Sequence, residues 1–169
     1  MNARVRVAAP ALEVRDSALH GFGVFATRRF KKGTRVTEYL GERISHAEAD
    51  RRYDHKDASD NHTFLFIVDA RTVIDAGVGG NEARFVNHGC EPNCESVIEN
   101  RRVFIEAIRD IAAGEELTYD YQIQREAGDP PDIDLIFACR CGAPSCRGTM
   151  LWPPPAPQRA RPPQRARRR

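Results

Sequence analysis

Residues 81–94 read NEARFVNHGCEPNC. An Arg-Phe-Val run, an Asn-His pair, a glycine, a proline and two cysteines fall within fourteen positions, and neither a helical nor a strand period runs through them. A polar, glycine-broken segment of this kind offers little to a hydrophobic core. It has the composition of a site, with Asn87 and His88 as hydrogen-bonding groups and Cys90 as a thiol.

The next cysteines along the chain, Cys139, Cys141 and Cys146, crowd into CRCGAPSCRG at residues 139–148. The total of five is odd, and CxC neighbours make poor partners for each other, which argues against a disulfide framework and for metal binding in a reducing compartment. Three thiolates at close spacing are one short of the four that a closed structural zinc site needs.

With 169 residues, 41% hydrophobic and 30% charged, the chain can bury one full core but hardly two. No apolar run is long enough to span a bilayer, and MNARVRVAAPALEVRD lacks the apolar centre of a secretory signal, so a soluble protein without a membrane partner is expected. The net charge of +2 is uneven: six of the 26 basic residues are arginines after Pro153, which leaves 20 against 24 acidic ones, or −4, before it. A stretch of Pro and Arg cannot offset its own ordering entropy, so residues 153–169 are expected to form a disordered basic tail.

Upstream, LEVRDS (12–17) and VFAT (24–27) alternate as half-buried strands around His20-Gly21-Phe22-Gly23, where the glycines serve either a hairpin turn or a close backbone approach. Arg35–Leu40 reads as a strand running into Tyr39-Leu40-Gly41-Glu42, and Ser45 with Glu48 forms a capping box for a polar helix from His46 to about His55. His46, His55 and His62 read as surface histidines. Residues 63–68 and TVIDA (72–76) read as strands, with Phe64 and Phe66 on one face, serving either the core or a site. Residues 95–100 and 102–108 read as a hairpin joined at Asn100-Arg101, and Tyr119 and Tyr121 of GEELTYDY (114–121) share a face if that segment is extended.

RFVNHGCEPNC, GEELTYDY and CRCGAPSCRG, preceded in order by HGFG and EYLGE, resemble the SET-domain protein-lysine methyltransferases with a post-SET zinc motif, the trithorax-type histone enzymes above all. The resemblance implies a mostly β fold with short helices: several small sheets around a threaded pseudoknot, plus a zinc-bound post-SET segment. It divides the chain into an N-terminal extension (1–11), a SET domain (12–122), a linker (123–134), the post-SET segment (135–152) and the tail (153–169). No cysteine precedes Leu12, so the likeness is to a minimal form without a pre-SET zinc cluster, for which an activating partner is expected.

The same resemblance implies S-adenosylmethionine as cofactor and a structural zinc ion held by Cys90, Cys139, Cys141 and Cys146, which leaves Cys94 as a small core residue. The cofactor is expected at His20, Gly21, Phe22, Gly23, Phe64, Arg84, Asn87, His88, Tyr121 and Arg140, with Arg84 alternatively pairing an acid. Tyr121 matches the catalytic tyrosine, with Tyr39 and Tyr119 beside it. Tyr39, Phe66, Tyr119 and Trp152 line the lysine channel, and Leu151 and Trp152 form a lid. Two departures from the pattern, Gly89 for Ser and Phe64 for Tyr, permit the alternative of a weak or inactive scaffold that binds proteins, chromatin or nucleic acid. The implied substrate is a protein lysine, in a histone tail or another basic protein, with a weak nucleic-acid contact through the Arg tail. The implied location is intracellular: nuclear in a eukaryote or in an infected host, cytoplasmic in a bacterium.

Overall fold

The computed structural model describes residues 10–53, 63–126 and 128–152. Strands dominate. β1 (Leu12–Asp16) and β2 (Phe22–Ala26) form an antiparallel hairpin with Leu12 opposite Ala26. Thr27 extends it, its N–H reaching the Ala11 carbonyl at 3.0 Å, so the ordered hairpin reaches into the predicted N-terminal extension. The rest of that extension (1–9), His55, His62 and the Arg tail lie outside the described residues.

The strand predicted through Leu40 divides in two. β3 (Arg35–Glu38) and β4 (Glu42–Ile44) belong to different sheets, because the chain bends at Gly41. A Cβ there would stand 2.6 Å from the Asp75 carbonyl oxygen, so only glycine lets the two backbones pass. In α1 (His46–Tyr53) one half of the capping box forms: Ser45 Oγ accepts the Glu48 N–H at 3.2 Å. The other half does not, because the Glu48 carboxylate turns to Arg51 and Arg52.

β5 (Leu65–Asp69) and β6 (Thr72–Asp75) complete a sheet of order β4-β6-β5. β8 (Cys94–Glu99) and β9 (Arg102–Ala107) form the predicted hairpin, Asn100 and Arg101 both taking left-handed backbone (φ 50° and 63°), and β3 lies on the far edge of β9. The segment at 81–89, without period in the sequence, is a short 3-10 turn (Glu82–Phe85) followed by the two-residue β7 (Asn87–His88). β10 (Thr118–Tyr119) pairs with it in parallel, Thr118 opposite Asn87 and Tyr119 opposite His88.

This pairing makes the crossing. Before β10, Ala26 N–H reaches Glu115 O at 2.9 Å and Leu117 N–H reaches Val24 O at 2.8 Å, so the segment lies on β2. On its other side Asn93, 2% exposed, accepts the Thr118 N–H at 2.9 Å and donates to Glu116 O at 2.7 Å and Glu115 Oε1 at 3.1 Å. Residues 115–119 thus thread between β2 and the 87–93 loop. Val24, Phe30, Val86, Ile105, Ile111 and Leu117 pack around the thread as the main core, with Cys94 buried among them as expected of the surplus thiol. Its burial pushes that thiol up to about 12.

Past the thread come α2 (Ile133–Ile136) and the cysteine-rich end, which one isolated bridge, Ile123 with Leu151, joins to the preceding chain and another, Ala138 with Thr149, folds on itself.

Candidate active site

Four aromatic side chains from three separate segments meet in a row. Tyr39 follows β3, Phe66 lies on β5, Tyr119 on β10 and Tyr121 just beyond it. Ring centroids are 5.4 Å apart for Tyr39 and Phe66, 6.5 Å for Phe66 and Tyr119 and 4.8 Å for Tyr119 and Tyr121, all tilted. Tyr119 and Tyr121 do share a side, although only the first is in a strand. Burial, reinforced by repulsion among the phenols, pushes Tyr39 and Tyr119 well above the usual tyrosine range, and burial does the same to Tyr121. All three are therefore protonated at neutral pH. Tyr39 donates to the Phe64 carbonyl at 3.0 Å and Tyr121 to the Val86 carbonyl at 2.9 Å. The Tyr119 hydroxyl has no hydrogen-bond partner among the described residues.

Beside the row stands the Asn87-His88 pair. Asn87 Nδ2 lies 2.9 Å from the Phe22 carbonyl, 3.3 Å from that of His20 and 2.9 Å from Glu116 Oε1, so it pins the HGFG turn. Gly21 takes a left-handed φ of 44° in that turn. Gly23 has a different reason: a Cβ there would collide with the Glu116 carboxylate, which also accepts from Ser17 Oγ at 2.7 Å. Gly23 is thus required by the protein's own packing, whatever the turn presents to a ligand. Glu116 and Asn93 were both missed from sequence, and the only signal was an acidic pair and a Pro-Asn-Cys in otherwise readable motifs.

His88 is buried, and burial lowers its pKa despite the nearby Asp120 carboxylate. Its Nδ1 accepts the Tyr121 N–H at 3.1 Å, and its Nε2 lies 3.5 Å from Cys90 Sγ. Asp120, with Oδ1 3.5 Å from the same Nδ1, is clamped by Arg147 through two contacts of 2.9 and 2.8 Å.

Cys90, Cys139, Cys141 and Cys146 converge, with all four sulfurs within 4.8 Å of one another and Cys90 and Cys139 at 3.7 Å. Four sulfurs about 2.3 Å from one zinc ion stand about 3.8 Å apart in a tetrahedron, so the set fits that metal. Although burial opposes it, the backbone groups of Cys90 and Ala143 and the neighbouring thiols hold the Cys141 thiol down at about 7. A low thiol is a ready ligand.

Arg84 settles in an unexpected way. Among the described residues it pairs with no acid: Nη1 donates to the Ala76 carbonyl at 3.1 Å, and its guanidinium lies 5.3 Å from the Phe64 ring centre and 4.6 Å from that of Phe85. Nε is buried without an acceptor among the described residues. An orphan cationic donor, the Asn87 Oδ1 acceptor left without a described partner, and the apolar Phe22 ring exposed at the turn form a mixed set that fits an amphipathic amino-acid-bearing nucleoside such as S-adenosylmethionine.

Other expected residues sit apart from the row. Leu151, assigned to a lid, is 1% exposed and anchors the bridge to Ile123. Trp152 is 41% exposed, and its ring contact is Arg147, with 5.9 Å from guanidinium to ring centre, rather than the channel aromatics. Arg140 is exposed between two of the cysteines. The two departures are absorbed by packing: Phe64 meets Phe85 edge-on at 5.6 Å, and a Cβ at Gly89 would lie 2.9 Å from Thr118 Oγ1, so Thr118 fills the space a larger residue would occupy.

Small sheets crossed by a threaded segment are a rare architecture. The family model described as SET domain matches residues 21–122, and the chain belongs to the SET-domain family. It is 43% identical over 137 residues to a Saccharomyces cerevisiae histone-lysine N-methyltransferase specific for H3 lysine-4, covering 78% of this chain and 12% of that protein. Over 135 residues it is 38% identical to the histone-lysine N-methyltransferase trithorax of Drosophila virilis, covering 78% of this chain and 3% of the relative. A solved structure of ctPRC2 in an autoinhibited conformation, bound to S-adenosylmethionine, superposes with a TM-score of 0.62 at 36% identity, over 68% of this chain and 15% of that one. The chain thus spans a small fraction of these relatives. Among the described residues no helix is long and apolar enough to cross a membrane.

Proposed function

We propose that this chain is an S-adenosylmethionine-dependent protein-lysine methyltransferase whose substrate is a histone tail, histone H3 first, and whose place of action is chromatin. The observation that carries the reading is the closed aromatic row of Tyr39, Phe66, Tyr119 and Tyr121 beside Asn87 and His88. Support comes also from relatives named as histone methyltransferases and a neighbour that binds S-adenosylmethionine.

When bound, S-adenosylmethionine supplies a methyl group made electrophilic by its sulfonium sulfur. Asn87, His88, Arg84, Phe64 and the residues 20–23 hold it, with Arg140 at the rim. The chain's own part begins with the lysine. A free amine has a pKa of about 10.4, and a narrow aromatic channel disfavours its ammonium form. Phe66 and the tyrosine rings wall the channel and exclude water. Tyr121, its O–H already donating to the Val86 carbonyl, presents lone pairs that orient the incoming amine N–H. Tyr39 is held in place by its bond to Phe64 O. Tyr119 keeps a hydroxyl free to hold a water or the amine itself, which crowds a multiply methylated nitrogen.

Cys90, Cys139, Cys141 and Cys146 would hold a structural zinc ion, which would fasten the post-SET segment 135–152, at the far end of the linker 123–134, to the catalytic unit at 12–122. An activating partner and a weak nucleic-acid contact through the Arg tail belong to the same reading. Deleting residues 153–169 tests the latter: transfer to a free peptide stays as it was, while transfer to nucleosomes falls.

The primary test is transfer from labelled S-adenosylmethionine to core histones, with Tyr121→Phe alongside. Label on H3 that vanishes in Tyr121→Phe supports the reading. Absence of label on every histone, in protein that binds the cofactor by calorimetry, overturns the histone substrate. Absence of both label and binding overturns the enzyme, leaving a binding scaffold.

A further inference from the structure

His88 makes two hydrogen bonds whose far ends belong to different parts of the molecule. A main-chain N–H can only donate, so Nδ1, 3.1 Å from the Tyr121 nitrogen, must accept. In the neutral ring the proton is then on Nε2, which faces Cys90 Sγ at 3.5 Å. A zinc-bound thiolate is an anion and a good acceptor for that N–H.

The path closes on itself. Cys90 Sγ also accepts the Arg147 main-chain N–H at 3.4 Å. The Arg147 side chain grips Asp120 at both oxygens, and Asp120 is the residue before Tyr121. Cys90, His88, Tyr121, Asp120 and Arg147 therefore form one ring of polar contacts, mostly sheltered from solvent. It joins the metal cluster to the main chain that carries the Tyr121 ring.

On the reading of this chain as a methyltransferase with a zinc ion at the four cysteines, we propose that His88 is a positioning residue: it passes the order of the Cys90 thiolate to Tyr121, with the Arg147–Asp120 pair as the return path. The tyrosine hydroxyl is aimed from both directions. Without the ring, Tyr121 keeps its bond to Val86 but loses two of the contacts that set its main chain.

The test uses the full chain with cobalt(II) in place of zinc. His88→Asn keeps an acceptor near Nδ1 and loses the reach to sulfur, whereas His88→Gln puts a donor where Nε2 stands. In His88→Asn the sulfur-to-cobalt charge-transfer band moves to lower energy, and in His88→Gln it returns toward the native position. With zinc, His88→Asn lowers kcat about tenfold, and His88→Gln restores it toward the native value together with the band. A band that does not move, or one that moves with kcat unchanged, overturns the proposal. If circular dichroism shows His88→Asn unfolded, the less buried Arg147→Ala decides it: a kcat loss of about tenfold with the band in place supports the ring, and unchanged kcat sinks it. If the native protein moves no methyl group to any histone, the functional reading fails, while the band still decides whether His88 reaches Cys90.

Discussion

The threaded centre and the cysteine-rich end lie side by side but are held by different physics. Around the thread, Val24, Val86, Ile105, Ile111 and Leu117 are buried, and Asn93 satisfies three groups of the crossing segment. This part folds on hydrophobic burial and backbone pairing. Between residues 133 and 152, by contrast, Leu151 is the one fully buried apolar side chain among those described, and Leu135 is 78% exposed. Its ties to the rest are the Ile123–Leu151 bridge, the polar contacts of Arg147 with Asp120 and of Ser145 with Glu91, and the thiols that converge on Cys90. On the proposed reading, a segment with so little core takes its order from a metal at the four thiols, and can be lost without losing the strands.

Removing the metal should break the comparison most sharply. Cys141→Ser, or a strong chelator, is expected to reduce methyl transfer by on the order of a hundredfold or more, with the far-ultraviolet dichroism of the strands retained. Simultaneous loss of the strand signal would mean that the two regions fold as one.

Tyr121→Phe comes next. It removes the hydroxyl and leaves the buried ring, so kcat should drop by about a hundredfold, with a stability cost of only about 1 kcal/mol for the lost bond to the Val86 carbonyl. A mutant that keeps more than half of the native rate would assign the orienting role elsewhere.

Within the centre, Asn93→Ala strands the Thr118 N–H and the Glu116 carbonyl in a buried place, and should cost about 2–3 kcal/mol in denaturant unfolding. Gly89→Ser introduces a Cβ against Thr118 and should cost about 1–2 kcal/mol, partly restored by adding Thr118→Ala. Strict additivity of that pair would show that Thr118 is not the obstacle. The smallest effect is expected from Tyr119→Phe, which removes a hydroxyl without a described partner: stability should hold while mass spectrometry finds more highly methylated product. An unaltered product distribution would free Tyr119 of any part in multiplicity.

Much of this was legible in order along the chain. Leu12–Asp16, the Asn100-Arg101 turn and the four-thiol set carry their signals in local alternation, turn chemistry or the family's motifs. The strand broken at Gly41 was not legible, because the cause is a backbone more than thirty positions away. Nor was the structural part of Leu151, since an apolar residue next to an exposed tryptophan looks alike whether it caps a site or anchors a segment.

The amino-acid sequence by itself determined which chemistry is present: phenols, an Asn-His pair and soft sulfur ligands, together with strands enough for one core. Tertiary structure alone decided how each group is engaged. Threading residues 115–119 past residues 87–93 leaves the Tyr119 hydroxyl without a partner among the described residues while Tyr39 and Tyr121 donate to carbonyls, makes Gly23 a space for Glu116, and sets His88 between Tyr121 and Cys90. The reason is that hydrogen bonds and close contacts are settled by distance in space, and the crossing brings together residues that no local period relates.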